Sequence, residues 1–224
     1  MNFLSHYYFE RDTTDVNVII GVVLPDFVKN ADKYYNLYPA KEIHSFKDDL
    51  HQLSLYKGWK RHVKVDALFH SSTFFTAQTL ILKKLLLPVM EGSLVKPFFL
   101  AHIGLELLLD HLLLTNEDIN VELFYDALKT SDKVALDHFL KNCGLTNTTT
   151  FFNFLNGFIS SKYLFSYHKI ENIAYALNRI CMRIWDNPFS PEQVKQITLQ
   201  LEAYKEILAT SYFSIFNEIE PQLK

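Results

Sequence analysis

Apolar residues recur along most of the chain at intervals of three and four positions, the period of an α-helix with one buried face. Only the segment 148–152 has the composition of a strand, and no partner strand is evident. The pattern therefore predicts an all-α protein. The predicted helices span residues 39–56, 59–70, 74–87, 97–114, 121–129, 131–142, 150–160, 168–185 and 190–219.

Prolines and capping residues mark several helix ends. The apolar run 16–24 meets Pro25 and Asp26, where we expect a helix to break and restart. The sequence Ser71-Ser72-Thr73 offers a cap or a kink. In Ser190-Pro191-Glu192-Gln193 a serine cap, a proline at the first helical position and a glutamine two positions later together predict a helix start.

The composition is that of a globular domain. Hydrophobic residues make up 49% of the chain and charged residues 21%, so a sizeable core is expected and a disordered chain is excluded. Only six glycines occur, which disfavours folds that need many tight turns. The chain has no internal repeat and no linker rich in glycine, serine or proline. We therefore expect a single compact helical bundle over residues 1–224.

The charge and the cysteine content limit the cellular compartments and the classes of partner that we expect for this protein. A net charge of −3 does not indicate a nucleic-acid-binding protein. The two cysteines, Cys143 and Cys181, form no disulfide framework and suggest a reducing compartment. The first residues lack the cationic region of a signal peptide. We expect a cytoplasmic protein that binds neither nucleic acid nor a membrane.

The predicted helix 59–70 carries three polar side chains on an apolar face. Because each helical residue turns by roughly 100°, positions i, i+4 and i+8 share one narrow stripe. His62, Asp66 and His70 form such a stripe. Basic residues collect on the opposite side of this helix, and they are Lys57, Lys60, Arg61 and Lys64.

A second stripe of the same kind lies in the predicted helix 97–114, where His102, Glu106 and Asp110 follow one another at intervals of four. Leucines surround this helix almost completely, so it is either buried or spans a membrane. The two carboxylates argue against a membrane span. A buried carboxylate must be neutralised, paired or bound to a metal. The two stripes thus predict a metal site, the alternative being a structural network of polar side chains.

Four segments form a recognisable set: the opening residues Met1 to His6, the segment Gly21 to Lys29, the pair His62-x-x-x-Asp66, and Leu109-Asp110-His111. In this order they resemble the acyl carrier protein phosphodiesterase family over essentially the whole chain. That family is similar to the HD superfamily of metal-dependent phosphohydrolases, which are all-α proteins that bind divalent metals through histidine and aspartate. The resemblance implies an HD-domain-like fold.

The resemblance also implies a reaction: hydrolysis of the phosphodiester that joins 4′-phosphopantetheine to a serine of acyl carrier protein, with manganese as the metal. Relatives of this kind can act on another small phosphodiester or a phosphomonoester instead. Phe69-His70 stands where the family pattern has a Thr-Asp pair, and His102 has no counterpart there, so both are candidates through their stripes alone. The candidate metal ligands are His6, Asp26, His62, Asp66, His70, His102 and Asp110.

Further roles follow from the chemistry of these groups. Mixed carboxylate and imidazole ligands suit manganese, iron or zinc. Asp66 or Glu106 would act as general base or would orient a histidine. Arg179 and Arg183, at i and i+4 of the predicted helix 168–185, would bind phosphate, unless they form an ordinary solvated face.

Other enzyme classes lack their motifs. The chain has no glycine-rich phosphate loop and no Gly-x-Ser-x-Gly elbow. The competing interpretation is a non-catalytic helical metal-binding or interaction protein that retains the fold. A catalytic metal keeps an open coordination position, whereas a structural metal is closed by protein ligands.

Overall fold

The computed structural model describes residues 1–223, and over that range every regular element is helical. The expectation of an all-α protein is confirmed. The α-helices are α1 (Phe3–Tyr8), α2 (Val16–Ala31), α3 (Leu50–Ser71), α4 (Thr73–Leu86), α5 (Pro97–Thr115), α6 (Val121–Thr130), α7 (Lys133–Asn142), α8 (Thr149–Ser161), α9 (Ile170–Cys181), α10 (Pro191–Ala209) and α11 (Phe213–Ile219). Short 3-10 turns lie at Pro39–Lys41, Ile43–Ser45, Leu87–Met90, Tyr163–His168 and Glu220–Leu223.

The helix predicted over residues 39–56 is wrong in its first half. Two 3-10 turns occupy that region, and α3 begins only at Leu50. The side chain of Asp49 accepts a hydrogen bond from the backbone nitrogen of Gln52 at 3.1 Å, so it caps the new helix start. From there α3 runs unbroken to Ser71, and Ser72 caps α4 through the backbone nitrogen of Phe75, as the sequence predicted.

The predicted break at Pro25 is also wrong, because α2 continues through this residue. A proline inside a helix removes one backbone hydrogen bond. Leu24 and Phe27, on either side of it, are fully buried, and α2 packs against α6 and α8. Burial of these side chains offsets the missing bond and keeps the helix continuous.

The last predicted helix, residues 190–219, is two helices. Its start is as predicted, with a complete capping box between Ser190 and Gln193. The helix ends at Ala209, a turn follows, and α11 begins at Phe213.

Residue contacts divide the chain into two compact units. Unit 1 contains Met1–Ser5, Asp66–Asp118 and Phe165–Lys224, and unit 2 contains His6–Val65 and Ile119–Leu164. The chain passes between the units at four points, within α1, within α3, after Asp118 and after Leu164. The domain boundaries 1–224 and the HD-like arrangement stay predictions.

In unit 1, the leucine-rich α5 packs against α4 and α9, and α10 packs against both of these helices. Leu100, Leu105, Leu108 and Leu109 of α5 are fully buried. By length and composition alone, residues 73–90 and helix α5 are each long and apolar enough to cross a membrane, with mean hydropathies of 1.2 and 1.5. A buried core helix meets the same criterion, and 61% of the α5 segment is buried inside the protein. The absence of a membrane contact stays a prediction.

In unit 2, α2 and the first part of α3 approach each other closely at two glycines. A Cβ atom at Gly21 would lie 2.4 Å from the carbonyl oxygen of Leu55, and one at Gly58 would lie 2.4 Å from that of Val18. Real Cβ atoms do not approach carbonyl oxygens this closely, so only glycine fits at either position. This contact fixes α3 against α2 at the point where both helices carry candidate site residues.

Replacing Gly58 by alanine should therefore force α2 and α3 apart. We expect Gly58→Ala to lower the free energy of unfolding by about 1–3 kcal/mol, as overpacking does, measured by urea denaturation. The control is Gly157→Ala in α8, where an added Cβ meets nothing within 4 Å. This variant should gain about 0.5–1 kcal/mol because alanine favours the helix. Equal effects of the two substitutions would contradict the close approach.

Candidate metal centre

In unit 1, three side chains bring their ligand atoms together between α3 and α5. His102 and Glu106 lie one turn apart on α5, and His70 reaches them from the last turn of α3. The His70 Nε2 atom lies 3.1 Å from His102 Nε2 and 3.2 Å from Glu106 Oε1, and the latter two atoms are 3.0 Å apart. We call this group the His70–His102–Glu106 triad. The stripes on α3 and α5 predicted His70 and His102 as metal ligands and Glu106 as a general base or an orienting group, and they did not predict the close approach of the three.

Hydrogen bonds alone do not satisfy all three contacts of the triad. Each Nε2 atom carries at most one proton, and the ionised carboxylate only accepts. If His70 donates to its two neighbours, the lone pairs of His102 and Glu106 face each other at 3.0 Å. One cation facing all three lone pairs would remove this repulsion.

The distances in the triad match those expected for ligands of one ion. Two ligand atoms that lie about 2.1 Å from an ion at a right angle are about 3.0 Å apart. The three observed separations, 3.0–3.2 Å, agree with this value. Two histidines and one carboxylate would hold such an ion and would leave coordination positions for water and substrate. The residues present therefore fit a divalent transition metal.

Aromatic rings hold the two imidazoles of the triad in place. Phe75, in the first turn of α4, contacts His70 and His102 edge-on, with both centroid distances at 5.0 Å. Phe98 contacts His102 at 6.0 Å. Ser72 caps the start of α4 through the backbone nitrogen of Phe75 and so places this ring beside the two imidazoles.

Positive charge already lies next to the triad. The α-amino group of Met1 is 2.8 Å from Asp66 Oδ1 and 3.0 Å from Glu106 Oε1. Burial alone would raise the pKa of Glu106, but the Met1 amino group and the neighbouring imidazoles of His102 and His70 hold it well below its usual range. Glu106 therefore remains ionised and suits the role of a metal ligand. The sequence pattern did not predict the contacts of this amino group.

Asp110, one turn further along α5, is fully buried and anchors the start of the chain. Its Oδ1 accepts from the backbone nitrogen and the hydroxyl of Ser5, and its Oδ2 accepts from Asn2 Nδ2 and the backbone nitrogen of Leu4, at 2.7–3.1 Å. Four donors use the four lone-pair sites of a carboxylate. In this structure Asp110 thus caps α1, and its assignment as a metal ligand stays a prediction.

In unit 2, a second group of predicted ligands forms around His62 on α3. The Nδ1 atom of His62 donates to the carbonyl oxygen of Val22 at 2.8 Å, which directs its Nε2 atom toward Asp26 Oδ1, 3.9 Å away. The buried ring of His6 stacks on His62 with centroids 3.8 Å apart. A backbone partner on one ring nitrogen is the usual arrangement for a metal-binding histidine. The expectation that the ligands of both units converge on one point stays a prediction.

A protein-family model now identifies the relationship that these motifs suggested. The model for acyl carrier protein phosphodiesterase matches residues 1–219, nearly the whole chain. The chain belongs to this family. No curated protein and no solved structure matches it.

Arg179 and Arg183, which the sequence predicted as phosphate-binding residues, do not lie on one face of a helix. Helix α9 ends at Cys181, not at residue 185, so Arg183 lies in the turn after it. Arg179 and Arg183 are both exposed. The helical pairing is wrong, and their binding of phosphate stays a prediction.

The protonation of Asp110 gives the site a testable pH dependence. Burial raises the pKa of Asp110 to about 7, although the bonds from Ser5 and Leu4 oppose this. Between about pH 4 and pH 7 the folded protein thus holds a proton that the unfolded chain does not, so this group makes the free energy of unfolding fall as the pH rises. The slope is at most about 1.4 kcal/mol per pH unit, and it vanishes above pH 7.

Urea denaturation of wild type and Asp110→Asn across this range measures the effect. Asparagine does not titrate, so the difference in unfolding free energy, wild type minus variant, should decrease between pH 4 and pH 7. A constant penalty is expected in addition, because the amide nitrogen of asparagine does not accept from the donors of α1. A difference that does not change with pH would contradict the raised pKa.

Proposed function

We propose that this protein is a metal-dependent phosphodiesterase that releases 4′-phosphopantetheine from holo-acyl carrier protein. The family membership supports the reaction and the carrier protein as partner. The metal dependence rests on one observation, the triad of ligand atoms with mutual distances of 3.0–3.2 Å. Manganese is the proposed metal, with iron or zinc as alternatives, because two imidazoles and a carboxylate suit all three.

The residues of unit 1 divide the chemical tasks. His70, His102 and Glu106 would hold the ion, which when bound lowers the pKa of a water molecule and screens the charge of the phosphate. The lowered pKa makes Glu106 a weak base. Asp66 is the proposed general base, because its side chain is about one third exposed and water can reach it.

The proposed reaction is a hydrolysis at phosphorus. A water oxygen bonds to the phosphorus while the bond to the serine oxygen of the carrier protein breaks. Asp66 accepts the proton of the water, and the serine oxygen takes up a proton from solvent. The products are 4′-phosphopantetheine and the apo-carrier protein. In unit 2, His62 and Asp26, with His6 stacked on the imidazole, are the second proposed ligand set.

Incubation with manganese and holo-acyl carrier protein should remove the phosphopantetheine group, detected as a loss of mass from the carrier. His102→Ala and Glu106→Ala should each lower the initial rate by about 100-fold or more, because each removes a proposed ligand. The binding of manganese, measured by electron paramagnetic resonance, should weaken in parallel.

The matched control is His44→Ala, because His44 is an exposed histidine in the turn Ile43–Ser45. It should leave the rate, the metal affinity and the melting temperature near those of wild type. A Glu106→Ala variant that keeps its manganese and its rate would contradict the proposed centre. Hydrolysis of a small phosphodiester without hydrolysis of the holo-carrier protein would support the proposed phosphodiesterase reaction and would refute acyl carrier protein as the substrate. Metal binding without any turnover would support a non-catalytic protein.

A further inference from the structure

Unit 2 contains a cleft that none of the proposed catalytic groups occupies. Its volume is about 240 Å³, and it lies between the end of α2, the segment that follows it and α3. Most of its wall is apolar. Its principal lining residues are Pro25, Val28, Lys29, Tyr35, Tyr38 and Trp59.

The cleft begins beside the second proposed ligand set. Lys29 lines it from α2, and Asp26 lies three positions earlier, on nearly the same face of that helix. Trp59 lines it from α3, and His62 follows three positions later, on nearly the same face of that helix. Because Asp26 and His62 approach each other at 3.9 Å, both walls of the cleft lead to this pair. A substrate chain in the cleft would therefore lie next to the second proposed ligand set.

The small volume of the cleft favours a narrow ligand over a helix of a partner protein. A helix of a partner protein is about 10–12 Å wide with its side chains, and typical ligand pockets have volumes of about 300–1,000 Å³. A cleft of about 240 Å³ is smaller than these and accommodates a single extended chain. A carrier protein with an acidic surface would instead meet the exposed lysines of α3, such as Lys57, Lys60 and Lys64, by charge complementarity.

The lining chemistry suits an uncharged chain that carries both methyl and amide groups. Aromatic rings provide apolar contact area, and the tyrosine hydroxyl and tryptophan N–H groups provide hydrogen-bond partners. The Tyr38 ring is 60% exposed and contacts the Lys41 ammonium group at 4.9 Å, so one face of the cleft is an accessible aromatic surface. Lys29, which donates to Asn36 Oδ1 at 2.6 Å, adds one positive charge.

We propose that this cleft binds the pantetheine arm of the substrate, and the assignment rests on the proposed function. The arm is a flexible chain with two methyl groups, two amides and a terminal thiol, and it carries no charge beyond its phosphate. The methyl groups pack against Trp59 and Tyr38, and the amides bond to the polar groups of the lining. The cleft therefore distinguishes phosphopantetheine from phosphodiesters that lack such an arm.

Tryptophan fluorescence tests the assignment without any turnover. The chain has two tryptophans, Trp59 in the cleft and Trp185 in unit 1, where it contacts Phe99. In a Trp185→Phe variant, Trp59 is the one remaining reporter. Titration of this full-length variant with pantetheine should give a saturable change in emission. Addition of Tyr38→Ala should weaken the apparent affinity about fivefold or more, because it removes an aromatic contact.

The matched control is Tyr175→Ala in α9, because Tyr175 is 62% exposed and lies outside the cleft. It should leave the affinity for pantetheine unchanged. No saturable change in emission, or equal effects of the two tyrosine variants, would overturn the assignment. An equal response to apo-carrier protein, which has no arm, would also overturn it in favour of a protein-docking surface. Pantetheine binding without hydrolysis of the holo-carrier would support the assignment of the cleft and refute the proposed function. Hydrolysis of the holo-carrier without pantetheine binding would support the proposed function and refute the assignment of the cleft.

Discussion

The structure depends on two carboxylates of a leucine-rich helix, of which Asp110 is fully buried and Glu106 is 12% exposed. Glu106 and Asp110 lie on α5, the central helix of unit 1, where an uncompensated charge is too costly to keep. Each carboxylate is compensated differently. Asp110 accepts four hydrogen bonds from Asn2 to Ser5 and thereby fixes α1, whereas Glu106 gathers two imidazoles and an amino group. The same requirement thus produces a structural anchor at one turn and a candidate metal centre at the turn before it.

The two outcomes follow from the kind of partner that reaches each carboxylate. Burial raises the pKa of Asp110 to about 7 although its neutral donors oppose the rise, and the bonds from these donors hold the start of α1 rigidly. Glu106 meets a cation and imidazoles, so its pKa falls and its charge remains available to an ion. Phe75 and Phe98 surround the histidine rings and limit their rotation. A rigid arrangement of ligands before the metal binds is what a catalytic site requires.

Helical periodicity could predict much of this from the sequence. The stripes of α3 and α5 identified His70, His102 and Glu106, since burial of ligand-type residues at intervals of four is visible in the residue order. Contacts that depend on chain ends and capping could not be predicted in this way. The period continues past Cys181 in the sequence while the helix stops there, and the helix at Pro25 continues where local chemistry predicts a break. At Pro25, tertiary packing overrides a local preference. The same limit applies to the bonds between Asp110 and the first residues, which are distant in sequence.

The central claim is that the triad binds a divalent ion, and a crystal structure of the protein soaked in manganese tests it most directly. Diffraction data collected at the manganese absorption edge locate the ion by its anomalous scattering. The account predicts a peak about 2.2 Å from His70 Nε2, His102 Nε2 and Glu106 Oε1, with water in the remaining coordination positions. A structure with no anomalous peak at these three atoms, in which the triad remains closed by hydrogen bonds at saturating manganese, would contradict it.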